Sequence, residues 1–390
     1  MSKKTKSQRA TEKTLRAARQ VSRRSLLKSA AVAGAVAGMG PWYIKKTMAA
    51  AELNVMMWSD YLPQEFLDAF KEETGITINH TGIGSNEEIL NKMKATKGRG
   101  FDLISPTGMR ALQWEPLGVL QPFDMDRIPT DRLTPSMLAV GYDDWDFGGK
   151  GSHWVPQLWG TEALSWRTDK WSPQDLSYGD LWSDEMKGKV MGRPHSMMLG
   201  AGLYLETTGD LEPGDMKKAY TDEATMRPIW QKVTDFVVGK KEAGQLKKFW
   251  NDADGQKTGF MQEDVVLGQT WDGPILAMKS EGLPVTYVAP KEGALAWIDG
   301  IAMPIGAKNI DEIYAFLEFS FRPEMGGLTA NKTGYNSAVV GADGFLSEQS
   351  VKNFKEAYPG DSLENLWPWP PEPVWYAQIR SEYRDRFVAA

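Results

Sequence analysis

From Leu53 onward the chain alternates short apolar runs with amphipathic segments. Leu53 to Trp58 reads as a buried strand. Gln64 to Glu73 puts Phe66, Leu67 and Phe70 on one face at helical spacing, with Gly75 as its stop. Ile76 to His80 predicts a second strand, and Asn86 to Lys97 a second helix that Ser85 is placed to cap. Asp102-Leu103-Ile104-Ser105, closed by Pro106, predicts a third strand. This succession implies an α/β fold on a parallel or mixed sheet. Ligands of such sheets gather beyond the carboxyl ends of the strands, here Trp58-Ser59-Asp60-Tyr61 and Ser105-Pro106-Thr107. A stretch of similar pattern runs from about Leu158 to Pro290, and the one compositionally biased tract is the Trp/Pro-rich segment Trp367 to Trp375.

Length and composition narrow this picture. A chain of 390 residues has room for two to three domains, and 42% hydrophobic with 25% charged residues excludes a disordered or multi-span membrane chain. The absence of cysteine excludes disulfides, thiolate metal sites and thiol nucleophiles. His80, His153 and His195 are the only histidines and lie far apart in sequence, which argues against a histidine-rich zinc site and against hydrolytic triads.

Charge divides the chain unevenly. Residues 1–51 carry 12 of the 45 basic residues and a single acid, Glu12, which leaves 33 basic against 50 acidic residues in the remainder. Such an acidic body repels nucleic acid and anionic lipid, so no nucleic-acid partner is expected. The basic arm instead has the order of an export signal: Ser22-Arg23-Arg24-Ser25-Leu26-Leu27-Lys28, a weakly apolar stretch from Ser29 to Gly40, then Ala49-Ala50-Ala51. Residues 1–51 are therefore read as a twin-arginine signal that delivers a periplasmic protein. The apolar run is shorter than the roughly 20 residues of a spanning helix.

Signatures of catalysis fail. There is no G-x-x-x-x-G-K-[ST], no G-x-S-x-G and no H-E-x-x-H. Thr81-Gly82-Ile83-Gly84 reads as a turn, and Asn251-Asp252-Ala253-Asp254-Gly255 does not keep calcium-loop spacing. No enzyme activity and no cofactor are expected. What stands out is tryptophan, sixteen in all, several beside carboxylates: Trp58-Ser59-Asp60-Tyr61, Trp271-Asp272-Gly273 and Trp297-Ile298-Asp299. An indole face attracts a cation and a neighbouring carboxylate adds a Coulomb partner, so these pairs at strand ends point to an organic cation as ligand.

The order and spacing of several short motifs resemble the periplasmic spermidine/putrescine-binding proteins that serve ABC importers, within the bacterial extracellular solute-binding proteins. They include Trp58-Ser59-Asp60-Tyr61-Leu62-Pro63, Glu72-Glu73-Thr74-Gly75-Ile76, Gly179-Asp180-Leu181-Trp182, Lys187-Gly188-Lys189-Val190, Leu267-Gly268-Gln269-Thr270-Trp271 and Trp297-Ile298-Asp299-Gly300. The resemblance implies two α/β lobes, at 52–157 plus 291–340 and at 158–290 plus 341–390, closing on a ligand between them. A monomer working with an ABC permease and ATPase is implied too. Carried over residue by residue, Trp297 and Trp271 would line the path of the ligand. Asp299 would pair its principal cationic nitrogen, with Asp60 as a second acid and Trp58, Tyr61 and Tyr335 among the cleft residues.

The pattern departs from the polyamine binders after Lys187-Gly188-Lys189-Val190, where Met191-Gly192-Arg193-Pro194-His195-Ser196-Met197-Met198 offers no acid for a far ammonium. Arg193 or His195 would instead suit a carboxylate. Two ligand classes therefore stand side by side: a polyamine, or an onium zwitterion of betaine or sulfonium type such as dimethylsulfoniopropionate. A ferric-ion or other metal carrier with tyrosine ligands is the alternative, and an exported lyase or hydrolase a third.

Overall fold

The computed structural model describes residues 51–390, so the twin-arginine motif falls outside the described residues. Among the described residues no helix is long and apolar enough to cross a membrane.

The first half follows the predicted pattern. β1 (Glu52–Trp58) lies parallel to β2 (Thr77–Ile83) and to β3 (Leu103–Ile104). α1 (Gln64–Thr74) links β1 to β2 and ends on Gly75 at φ 75°, a left-handed conformation that glycine adopts without a Cβ penalty. α2 (Asn86–Thr96) follows β2, its first turn capped by the Ser85 hydroxyl, which accepts the Glu88 N–H. One reading changes. The Thr81-Gly82-Ile83 segment is strand rather than turn, with Gly82 opposite Met57 and Ile83 opposite Trp58. A Cβ on Gly82 would come within 3.2 Å of the Ser59 backbone, so the glycine serves a close approach. Asn251-Asp252-Ala253, where calcium-loop spacing fails, is a helix start, with Asp252 accepting the Gly255 N–H at 2.7 Å.

The remaining strands complete one sheet. They are β4 (Leu120–Gln121), β5 (Trp154–Arg167), β6 (Val190–Gly192), β7 (Leu246–Phe249), β8 (Leu267–Trp271), β9 (Val285–Val288), β10 (Leu295–Pro304), β11 (Asn336–Ser337) and β12 (Trp367–Pro368). The main order is β2-β1-β3-β10-β5-β8-β6-β7. Pairing is parallel at both ends, β2-β1-β3 and β8-β6-β7, and antiparallel in the middle, where β5 and β10 run together from Ala302↔Trp154 to Leu295↔Glu162. These two long strands join the two α/β lobes.

Each lobe has its own core. On the β1 side, Phe66 and Phe70 of α1 meet Phe316 and Phe319 edge-on at 5.3 to 5.9 Å. On the β6 side, α3 (Pro194–Thr208), α4 (Glu223–Glu242) and the carboxyl-terminal α5 (Val374–Ala389) bury Met198, Trp230, Tyr376 and Phe387 together. Before reaching α5 the chain crosses back through β12, where Trp367 pairs in parallel with Leu295. Between the two cores lies a layer of aromatic residues that includes Trp58, Trp271, Trp297 and Tyr335.

Candidate functional site

The aromatic layer surrounds a cavity of about 430 Å³ including its mouth. From the end of β1 come Trp58, Asp60 and Tyr61; from β8 comes Trp271, and from β10 come Trp297 and Asp299. Tyr335 precedes β11, while Arg193 and His195 open α3. Nine of the eleven residues nominated from the sequence therefore meet at one cavity. Ser59 and Asp272 do not line it. Ser59 is solvent-exposed, because its neighbours on either side turn inward at the strand end. Asp272 is buried at the start of α6 (Asp272–Ser280), accepting from the Tyr358 hydroxyl at 2.7 Å and the Gly273 N–H at 2.9 Å. Its carboxylate shares the space over Gly160 with the Trp297 indole, so it supports the wall from behind.

Local backbone explains how Asp299 is aimed. The β5–β10 register slips between Asp299 and Gly300, and a bulge re-aims the side chain there. Gly300 permits it, since a Cβ would come within 2.2 Å of the Val155 carbonyl oxygen. Across the cavity floor, Thr107 is fixed by Asn86, which accepts its N–H at 3.0 Å and donates to its hydroxyl at 2.8 Å.

Asp299 accepts from the Tyr61 hydroxyl at 2.5 Å through Oδ2, while its Oδ1 is buried without a partner. Both carboxylate oxygens of Asp60 are buried without a hydrogen bond of good geometry. Burial pushes the Asp60 carboxyl up to about 6, against a lowering influence of the Tyr335 hydroxyl. It pushes Asp299 up to about 7, against Thr107, Tyr61 and the positive charge of Arg193. Two carboxylates with unfilled acceptor positions stand beside indole faces, and that arrangement suits a cation.

Around Arg193 the cavity differs from the sequence expectation in one respect. An acid is present there: Glu162 of β5, fully buried, accepts the Ser196 hydroxyl at 2.9 Å and leaves Oε1 unpartnered. Burial raises its carboxyl to about 7, opposed by Arg193, Ser196 and the Trp271 side chain. A far ammonium would therefore not lack an acid. Glu162 escaped notice because it sits within a strand buried from Trp154 to Trp166, which reads as core. Beside it the Arg193 guanidinium, 9% exposed, lies 5.3 Å from the Trp271 ring and makes no salt bridge among the described residues. His195 is held neutral, its pKa lowered by burial and by the positive charges of Arg193 and Arg380. Arg193 is the N-cap residue of α3 and His195 lies in its first turn, so the positive end of the helix dipole faces the same region. The indole N–H groups of Trp58, Trp297 and Trp369 are also buried without partners. On this side an anionic group meets the Arg193 guanidinium and the amino end of α3.

Trp369, Asn86, Met109 and Arg110 also line the cavity and were not nominated. Arg110 is already engaged, pairing with Glu372 at 2.8 Å and Glu87 at 3.2 Å. Arg380 of α5 pairs with the same two acids at 3.5 and 2.8 Å, closing a four-charge cluster behind the cavity in which only Glu87 is partly exposed. Among the described residues no group of three or more His, Asp or Glu could hold a metal ion.

Comparison with known proteins agrees with this architecture. The family model described as bacterial extracellular solute-binding protein matches residues 65–353. The spermidine/putrescine-binding periplasmic protein of Escherichia coli K12 is 26% identical over 339 residues, covering 85% of this chain and 90% of that protein. Spermidine/putrescine-binding periplasmic protein 1 of Haemophilus influenzae is 27% identical over 358 residues, covering 88% and 91%. Among solved structures, a putative spermidine/putrescine ABC transporter protein from Listeria monocytogenes superposes with a TM-score of 0.72 at 21% identity, covering 87% of this chain and 99% of that one.

Proposed function

The chain belongs to the bacterial extracellular solute-binding proteins, and from that premise we propose that it is the periplasmic binding component of an ABC importer for a small organic cation bearing a carboxylate at its other end, an onium zwitterion of betaine or sulfonium type. Its lobes, 52–157 plus 291–340 and 158–290 plus 341–390, would close on this ligand about β5 and β10. The observation that carries the reading is that one cavity holds both open acids and a buried guanidinium. The open oxygens of Asp60 and Asp299 stand among Trp58, Trp297 and Tyr335, and the Arg193 guanidinium, whose positive charge acts on Asp299 and Glu162, makes no salt bridge among the described residues. A trimethylammonium or dimethylsulfonium group cannot donate N–H bonds and is held by π faces and nearby negative charge. Its carboxylate would take the Arg193 guanidinium at the amino end of α3.

A polyamine is the second reading. It is favoured by the names of the curated relatives and by Glu162, whose free oxygen could receive a far ammonium. Isothermal calorimetry of the mature chain against glycine betaine, dimethylsulfoniopropionate, choline, putrescine, spermidine and ferric citrate separates these. The zwitterions are expected to bind tightest, and choline, lacking the carboxylate, more weakly. Tight putrescine or spermidine binding with no heat from the zwitterions would overturn the first reading in favour of the second. Export through the twin-arginine route is part of the proposal: replacing Arg23-Arg24 by two lysines should hold the protein in the cytoplasm, and unchanged periplasmic recovery would refute that route.

A further inference from the structure

The Trp/Pro-rich segment carries four prolines between Trp367 and Pro373, which fix φ along an extended strap. The strap is tied at both ends. At its start Trp367 N–H donates to Ala294 O at 2.8 Å, just before β10, and Trp369 N–H to Ala296 O at 3.0 Å within it. At its far end the Glu372 N–H donates to Met109 O at 3.0 Å and its carboxylate pairs with Arg110. Between these ties the Trp369 indole, 5% exposed, stands 5.5 Å from the His195 ring with its N–H unpartnered. A second, largely apolar cavity of about 850 Å³ including its mouth adjoins the first, lined by Met137, Val140, Ile298, Leu366 and Pro371. The two cavities have Thr107, Met109, Trp297 and Trp369 in common.

We propose that Trp369, held by the strap, is a specificity-determining wall: it closes the charged cavity to ligands with an apolar extension by sealing the second compartment from it. This rests on the small-cation reading given above and adds a size limit to it. Thr107 is fixed by Asn86 and Trp297 by the sheet, and Met109 has a flexible side chain, so the rigid Trp369 indole decides whether the compartments communicate. A compact ligand touches the wall from the charged side. An alkyl tail long enough to leave that cavity has nowhere to go while the wall stands.

The test uses two matched ligand pairs in calorimetry: glycine betaine with N-hexyl-N,N-dimethylglycine, and putrescine with N-hexylputrescine. The wild-type chain is expected to favour the compact member of whichever pair it takes by at least about tenfold, since the hexyl group finds no apolar site. Trp369→Ala should weaken the compact ligand and shrink or reverse that preference. Adding Val140→Phe, which fills the second compartment, should restore it. Trp369→Phe, which keeps a ring and most of the strap's packing, should fall between, and it decides the matter if the alanine variant does not fold. An unchanged size preference in a folded Trp369 variant overturns the wall. A wild-type chain that takes neither compact ligand is a different result: it overturns the small-cation reading, and the wall falls with it.

Discussion

Asp299 shows how one side chain ties fold to chemistry. The bulge at Gly300 aims it, Tyr61 holds one oxygen, and burial keeps its carboxyl near pH 7, as it keeps Asp60 near 6. The sign of the pH dependence follows. In the ligand-free protein both acids are harder to ionise than in the unfolded chain, so the folded state holds more protons. Their contribution to stability is complete below about pH 4 and is lost as pH rises through about 6 to 7. A bound cation favours the ionised form and reverses the loss. Thermal melting from pH 4 to 8 should therefore show a ligand-induced rise in Tm that grows with pH, and Asp299→Asn should flatten it. The same variant, and Trp297→Ala, should each weaken binding by about 1 kcal/mol or more, through a lost charge and a lost π face respectively. Wild-type affinity in both by calorimetry would place the ligand elsewhere. Asp272→Asn, by contrast, should lower Tm and leave ligand preference unaltered, because its carboxylate serves Tyr358 and the start of α6.

At the scale of elements, the strap and α5 depend on the charge cluster of Arg110, Arg380, Glu87 and Glu372. Glu372 and the two arginines are almost wholly buried, so removing one acid leaves guanidinium charge without its full compensation. Arg110 and Arg380 hold the Glu87 carboxyl well below its ordinary range even though burial opposes them. Glu372→Gln should therefore cost about 3–5 kcal/mol in denaturant unfolding, and a loss under about 1 kcal/mol would mean that water or Glu87 alone satisfies both arginines.

The elements also show what a sequence displays and what it hides. β1, α1, α2 and β3 were legible because each has its own period and its own stop signal, from the Phe66/Phe70 face to Gly75 and the Ser85 cap. Trp58, Asp60, Trp271, Trp297 and Asp299 were legible because they stand where apolar runs end. Glu162 was not, since a strand covered on both faces has no alternation to betray a lone acid. Gly82 was misread because glycine in a strand and glycine in a turn look alike until the neighbouring Ser59 backbone is in view. The strap announced itself only as biased composition. Its role depends on long-range ties to Arg110 and β10 that leave no local period.

For the whole molecule, the cavity is walled from both ends of the sheet, and its lining aromatic residues are less than 10% exposed. Hinge closure of that kind is the common behaviour of periplasmic binding proteins. Small-angle scattering should accordingly show a smaller radius of gyration on adding a ligand that calorimetry has shown to bind, and an unchanged curve would argue for a rigid body. β5 and β10 give this motion a mechanical character, because the strands that join the lobes also carry Glu162, Trp297 and Asp299. The ligand would thus grip close to the fulcrum. A displacement of its atoms by a fraction of an ångström is multiplied by the length of each lobe into a much larger sweep at the rims, at the price of needing a strong pull over a short stroke. Desolvated charge and stacked indoles supply force of that kind, so the chemistry of the cleft and its position on the lever suit each other.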